Sequence, residues 1–569
     1  MENPVGRGRR GCAGVLVDRR SRRVPRVRRS RRCGTRRLPR QRRHHARDTD
    51  RDDCRVVGVA AARFAKNLKG MTVTASMGLR SPSDWSVGIL VVCGVLACTP
   101  APSVSDADAG GDAARDVESD ESQTADTGAR GVSDPWRGAQ RPVPFADINP
   151  DPRIIEVALE ASWGEWEIEP GRRVRAMTYN GGVPGPTLEG TVGDQVIVHF
   201  RNSLDQPTTI HWHGLRVPAD MDGTHFVHHA IEPGATFDYR FELLDAGTFW
   251  YHPHVSVALQ VEMGLYGAIV VHGPSEPPVD WDGVVVVDDL RLDAAGAIEP
   301  ESMDDILPGR TGPRMIVNGR VGPTFAARAG ATYRLRIVNA ANARYFRLAM
   351  TGHTWQLIGF DGALLERAET VDDVLVVPGQ RVELAWTAPA RLDGGATVRT
   401  LAYDRGPGSD VAPFDVMRVE LLPDPPLDVR ALPARLNSLA ALDTAGATQR
   451  VIRLGQIAGP GSAVQFTING ASYPDVPTIV ATLGGTEIWE INNETSADHP
   501  FHIHGFSFQL LSRNGVAPSR VSFHDTINVP ARDTLRIAWR AERYPGMWMY
   551  HCHILEHAEH GMLGVLEVR

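Results

Sequence analysis

Twelve consecutive residues near the C-terminus, His551 to Met562, include His551, Cys552, His553, His557 and Met562, a dense set of side chains able to bind a metal. On a β-strand, successive side chains point to opposite faces, so His551 and His553 face one way and Cys552 the other. His557 and Met562 follow on the turn, free to fold back towards the cysteine side. Two imidazoles, one thiolate and a distant thioether describe a blue-copper electron-transfer site. The histidines flanking Cys552 must then serve a different metal on the far side of the strand. One backbone segment is expected to join two metal centres.

Three further histidine groups precede this run: His211-Trp212-His213-Gly214, Trp250-Tyr251-His252-Pro253-His254 and His499-Pro500-Phe501-His502-Ile503-His504-Gly505. Each holds a His-x-His pair, and on an extended strand that spacing turns both imidazoles to one face. With His551, His553 and His557 there are ten such histidines, and Cys552 and Met562 make twelve candidate ligands. If His499, Cys552, His557 and Met562 hold one ion, eight histidines remain. That is too many for one metal and suits a cluster of three. His199, His225, His228, His229, His272, His353, His524 and His560 match no motif and are read as structural or solvated. The knot of His225, His228 and His229 is better explained as a solvated loop than as a second metal trap.

The residues from about position 140 onward are too many for a single core. Strand signals with frequent Gly and Pro turns, and no sustained helical period, predict all-β sandwiches. The chain also repeats itself. Met177-Thr178-Tyr179-Asn180-Gly181, Met315-Ile316-Val317-Asn318-Gly319 and Phe466-Thr467-Ile468-Asn469-Gly470 are alike. Each precedes a hydrophobic strand running to an Asn, read as Asn202, Asn339 and Asn492. Such recurrence marks a tandem array of one fold. Pro-rich seams at Gly273–Pro278 and Leu422–Leu427 divide the region into 140–274, 275–425 and 426–569.

In order and spacing, the four histidine motifs resemble those of the three-domain multicopper oxidases, the family of laccases, bacterial cuprous oxidases and bilirubin oxidases. The resemblance runs from about residue 140 to the end. It implies three tandem cupredoxin-like Greek-key sandwiches, with motifs in the first and third only and a cluster between those two. It implies four copper ions. A type 1 ion would lie on His499, Cys552, His557 and Met562, and a type 2 ion on His211 and His502. A type 3 pair would lie on His213, His252, His254, His504, His551 and His553. Electrons from a small reducing substrate would enter at the type 1 ion and pass through Cys552 to its neighbours, and O₂ would be reduced to water at the cluster. An axial Met should lower the type 1 potential. Asp222, in Ala219-Asp220-Met221-Asp222-Gly223, matches the family's proton-carrying acid, although Asp before Gly is also ordinary turn chemistry. The family's second acid follows the last histidine, where this chain has Ala558, so Glu559 is the candidate and its role is in doubt. The 13 methionines do not cluster as they do in relatives that oxidise cuprous ion. That favours phenols or aromatic amines, with Cu(I), Fe(II) or Mn(II) as the alternative.

Residues 1–70 hold 21 Arg and 2 Lys against 6 acidic residues, a net charge near +17 in a chain of net charge −7. Such a block repels itself and cannot bury a core. Either it is a nucleic-acid-binding arm, or translation starts later, at Met71 or Met77, and 1–76 is a non-native leader. The second reading is preferred, so no nucleic-acid partner is expected. From Met77, an arginine and a short apolar run ending in Val95-Leu96-Ala97-Cys98 read as a lipoprotein-type signal over 77–98, too short to span a membrane. Cys98 would carry the lipid, and an Ala/Asp/Gly/Ser-rich stretch over 99–139 would be a disordered tether. The expectation is an exported, cell-envelope or periplasmic monomer, attached to a membrane only through that anchor. Of six cysteines only Cys552 lies in the region beyond, which excludes a disulfide framework.

Overall fold

The computed structural model describes residues 131–137, 142–459 and 464–569. The arginine-rich leader, the signal run with Cys98 and the tether before residue 131 lie outside the described residues. Six β-sheets face one another in pairs. The first pair joins Arg172–Tyr179, Ile154–Glu169, Gln195–Asn202 and Thr236–Glu242 in one sheet, and Leu188–Thr191, Gly267–His272, Gly247–His252 and His211–His213 in the other. The middle pair has six and seven strands, and the third six and five. Each encloses its own apolar core, around Val198 and Tyr251, Leu335 and Trp355, and Trp489 and Phe501 respectively. A further cluster, including Trp166, Trp250, Val257, Val284, Ile316 and Leu555, seals the junction where all three sandwiches meet. The architecture is the all-β array expected.

The internal repeat has a structural cause. Asn180-Gly181, Asn318-Gly319 and Asn469-Gly470 all take positive φ at both residues, the geometry of a tight hairpin turn that Asn-Gly tolerates best. In each, the Asn Oδ1 accepts from a strand amide, that of Glu160, Val286 or Arg453. A second Asn recurs at the end of the core strand and ties down the following loop. Asn202 Nδ2 donates to the carbonyls of Gln206 and Ile231, Asn339 Nδ2 to Arg344 and Val376, and Asn493 Nδ2 to Ala497 and Val529. The third equivalent is therefore Asn493 and not Asn492. Adjacent asparagines left the register open in sequence, and the inward face of the strand decides it.

The tether reading needs correction at its end. Trp136–Arg137 forms a short strand antiparallel to Thr324–Ala327 of the middle sandwich. The Trp136 ring packs edge-on against Phe325 at 5.2 Å, with Trp281 at 6.5 Å. Burying an indole outweighs the chain entropy that composition alone predicts for this stretch.

Candidate metal centres

Strand Gly546–Cys552 lies beside His499–Ile503 with His502 opposite His551 and Phe501 opposite Cys552. In the first sandwich, His211 lies opposite His252. The strands end early: His254 and His553 sit in the turns just beyond Gly247–His252 and Gly546–Cys552. All eight motif histidines nevertheless converge between the first and third sandwiches, none more than 8% exposed. His211 stacks on His504 at 3.8 Å between ring centres and His213 on His502 at 3.9 Å, each pair crossing the domain boundary.

One ring nitrogen of each histidine faces inward. His211, His252, His254 and His502 have Nε2 buried with no hydrogen-bond partner, His213 has Nδ1 so, and His553 has both. His504 and His551 turn Nε2 towards each other at 3.1 Å, a separation that a bridging cation would occupy. The opposite nitrogens are held from outside. Nδ1 of His211 meets the Asp222 carbonyl at 2.9 Å, that of His252 the Pro253 carbonyl at 2.8 Å, and that of His551 the Cys552 carbonyl at 2.8 Å. Nδ1 of His502 meets the Asp525 carbonyl at 2.8 Å, and that of His504 the Asp222 carboxylate at 2.9 Å. Such outer partners fix the tautomer and leave the other nitrogen free as a ligand. His213 is inverted: its Nε2 is held by Asp525 and Thr526, each at 3.1 Å, so Nδ1 is free. Several ligand triples lie within 4.8 Å, including His211–His213–His252, His211–His502–His504 and His254–His504–His551. A set of neutral imidazoles with orphaned nitrogens fits copper or zinc, not a hard, oxygen-seeking cation.

On the other side of Cys552 a second constellation forms. Its Sγ lies 3.5 Å from His499 Nδ1 and 3.7 Å from His557 Nδ1, and the two nitrogens are 3.2 Å apart. His557 rides on the short helix Leu555–Glu559, and Met562 is fully buried in the same core. Thr495 Oγ1 holds His499 Nε2 at 2.8 Å, the Leu307 carbonyl accepts from His557 Nε2 at 3.1 Å, and the Ile554 amide donates to Sγ at 3.4 Å. Burial pushes the Cys552 thiol up to about 12 and His499 down to about 3. A thiolate here requires a cation to replace the lost solvation, which a soft metal supplies with release of the proton. Cys552 is the only cysteine among the described residues.

Asp222 is buried where both sandwiches meet, holding His504 of the third by its carboxylate and His211 of the first by its carbonyl, with Oδ1 free of hydrogen bonds. It closes a one-turn 3₁₀ helix before Gly223, whose positive φ and approach to the Ile210 carbonyl leave no room for a Cβ. Turn and site are thus one feature. Glu559 is placed differently from its sequence reading. It is exposed, and its carboxylate accepts from the Ala258 amide at 3.2 Å, in the first turn of helix Val257–Glu262. The buried acid beside the last histidine is Glu556: Asn342 donates to it at 2.9 Å, its second oxygen is unpartnered, and burial raises it to about 7. Helical rotation separates positions 557 and 559 by more than half a turn, which a motif read as a line of letters does not convey. Sequence also gave no signal for Asp525, Thr526, Thr495 or Arg381. None lies in a histidine motif, and Arg381 belongs to the middle sandwich, which carries none of those motifs.

Histidines outside the motifs find ordinary partners. His199 bridges Glu156 and Asp238 at 2.8 Å each, His272 meets Glu189 at 2.8 Å, and His225 meets the Tyr473 hydroxyl at 2.7 Å. His228 stacks on Phe237 at 4.6 Å.

Burial holds His213, His252, His254, His502, His504, His551 and His553 below the ordinary histidine range, the neighbouring rings adding to the effect for most of them. A depressed folded value means the unfolded chain binds protons that the native cluster refuses. Stability is therefore full above about pH 6.5 and is lost as pH falls below it, by up to about 1.4 kcal/mol per pH unit for each ring. The melting temperature of the copper-free protein should drop steeply as pH falls below about 6.5. A flat profile in calorimetry would mean that solvent reaches the rings and protonates them in place.

Three β-sandwiches, with a buried imidazole cluster between the outer two and a Cys–His₂ site one residue away, define a copper oxidase of the cupredoxin type. Sequence profiles described as multicopper oxidase match residues 160–276, 288–394 and 447–569. The multicopper oxidase MmcO of Mycobacterium tuberculosis is 31% identical over 431 residues, covering 69% of this chain and 83% of that protein. Among solved structures, the multicopper oxidase from Campylobacter jejuni, described as a metallo-oxidase, superposes with a TM-score of 0.69 at 30% identity, over 76% of this chain and 96% of that one. A laccase-like multicopper oxidase from Ochrobactrum sp., with activity towards lignin model compounds, superposes at 0.67 with 26% identity, over 76% of this chain and all of that one. The chain belongs to the multicopper oxidase family. It is an oxidoreductase that uses O₂ and requires copper.

Proposed function

We propose that the protein holds four copper ions and couples one-electron oxidation of a small reductant to four-electron reduction of O₂ to water. The observation that carries this reading is the convergence of eight buried histidines, four from each outer sandwich, each with a nitrogen turned inward. His499, Cys552, His557 and Met562 would hold the type 1 ion. His211 and His502 would hold type 2, and His213, His252, His254, His504, His551 and His553 the type 3 pair. These ions supply storage for four electrons, so that O₂ need not be released half-reduced. The chain's own residues do the rest. Cys552 lies between His551 and His553 in the backbone, giving a covalent path from one centre to the other. Cys552 and Met562 are fully buried and Phe466 stacks on His557 at 3.9 Å, which keeps water from the thiolate side. Asp222, buried with Oδ1 in no hydrogen bond and 3.3 Å from His211 Nδ1, is placed to carry protons into the cluster.

Phenols or aromatic amines are the proposed reductants, because the methionines do not cluster. A second reading has one observation in its favour. The Leu307 carbonyl covers the Nε2 edge of His557, and the segment bearing it presents Met303, 71% exposed, beside exposed Asp304. A soft metal ion could donate its electron there. Oxygen uptake by the copper-loaded protein, with a phenol, Cu(I) and Fe(II) side by side, should be fastest with the phenol. Metal analysis should find four coppers per chain; one or fewer after full reconstitution would sink the oxidase reading.

The export reading is part of the proposal. Expression from Met77 should give full activity, and Cys98→Ala should move the protein from the membrane to the soluble fraction. Activity that disappears with residues 1–70, expression being normal, would refute the leader reading.

A further inference from the structure

The structure assigns Arg381, a residue of the middle sandwich, as the positioning residue that fixes the inverted ligand His213 through Asp525. The inference rests on the cluster proposed above. His211, His252, His254 and His502 leave Nε2 unpartnered, His504 and His551 turn Nε2 towards each other, and His553 leaves both nitrogens unpartnered, whereas His213 presents Nδ1 because Asp525 and Thr526 occupy its Nε2. Asp525 is buried, 3% exposed, and its carboxylate needs a fixed partner to hold one orientation. Arg381 is that partner. Its Nη1 donates to Asp525 Oδ1 at 2.8 Å, its Nη2 pairs with Oδ2, and the fork fixes the plane of the carboxylate. Charge held in that plane keeps the acceptor side aimed at His213, so the imidazole must carry its proton on Nε2 and leave Nδ1 bare.

The guanidinium is itself immobilised. It is fully buried, donates to the Thr248 carbonyl of the first sandwich at 2.9 Å and to Gly379 at 3.0 Å, and lies 3.3 Å from Asp361. Asp361 in turn accepts from the Asp525 amide at 3.1 Å. The same Asp525 holds His502 by its carbonyl, so one junction sets a ligand from each outer sandwich and keeps their stacked rings in register. Gly214, directly after His213, has positive φ, and a Cβ there would press on Arg381 and come within 2.6 Å of Asp525. The junction admits nothing larger. The middle sandwich thus does more than space the other two: it selects which nitrogen of His213 meets the metal.

Copper titration and electron paramagnetic resonance of Arg381→Lys and Arg381→Met test this, with Arg334→Met as control. Lysine keeps charge without the planar fork. Arg334 belongs to the same buried ionic network but bonds Glu276, Asp282 and Glu383 and not Asp525. Both Arg381 variants should keep the blue absorption at Cys552 while copper at the cluster binds roughly 10–100-fold more weakly, with an altered type 2 signal, as expected for loss of an outer-sphere partner. Arg334→Met should lower the melting temperature and leave cluster affinity and the type 2 signal as in the parent. If Arg381→Met does not fold, Arg381→Lys decides. Parent-like cluster affinity and signal in Arg381→Lys would overturn the assignment, as would equal loss in Arg334→Met. A parent protein that takes up one copper only would overturn the cluster reading itself, a separate outcome.

Discussion

Cys552→Ser should abolish the blue absorption and reduce turnover to the detection limit, with the fold retained. Serine is nearly isosteric, so the fully buried site neither collapses nor opens a cavity. Its hydroxyl does not ionise near neutral pH and is not the soft, charge-donating ligand that a blue-copper ion needs. The stability cost should be about 1–3 kcal/mol, from a buried hydroxyl in a place shaped for sulfur. Visible absorption, oxygen uptake and circular dichroism measured on one preparation give the answer. Persistent blue colour would show that Cys552 is not the thiolate ligand. Copper at the histidine cluster should survive, because its ligands hold their positions through separate outer contacts.

Asp222→Asn should slow reoxidation by O₂ by roughly 10²–10⁴-fold while reduction of the blue copper changes little. The structure makes this substitution informative. An asparagine oxygen can still accept from His504 Nδ1, as the carboxylate does at 2.9 Å, and the Asp222 carbonyl that holds His211 is untouched. What is lost is the capacity to carry a proton. Glu559→Gln should cost less, since that side chain caps a helix at the surface. Stopped-flow measurement of the two half-reactions separates the cases. Equal damage to both by Asp222→Asn would reduce Asp222 to a purely positional role.

Much of the site was legible because metal ligands of this kind sit at fixed short intervals on extended chain. His-x-His and His-Cys-His are local patterns, and strand alternation alone turns Cys552 away from its flanking histidines. The Asn-Gly turns were legible for the same reason: positive φ at both residues is a local demand. Glu559, whose role the sequence left in doubt, is exposed at the end of the short helix Leu555–Glu559, whereas Glu556 in its first turn is buried, a difference set by packing that spacing does not convey. Asn492 misled by one place because two adjacent asparagines satisfy the pattern equally and only the core distinguishes them. Trp136 was assigned to a tether by the composition around it, whereas its indole had a distant partner in Phe325.

By itself the sequence determined which histidines gather on either side of Cys552 and the all-β repeat that carries them, each of which depends on residues close together in the chain. Tertiary structure alone decided the rest: that His213 presents Nδ1, that Arg381 and Asp525 join three sandwiches at one ion pair, and that the Leu307 carbonyl covers His557. Arg381 and Thr248 are 133 apart, Leu307 and His557 250, Arg381 and Asp525 144, and His213 and Asp525 312. The physical reason is burial. Charge and hydrogen-bonding groups that water would satisfy anywhere along an open chain must, once packed between domains, find one another.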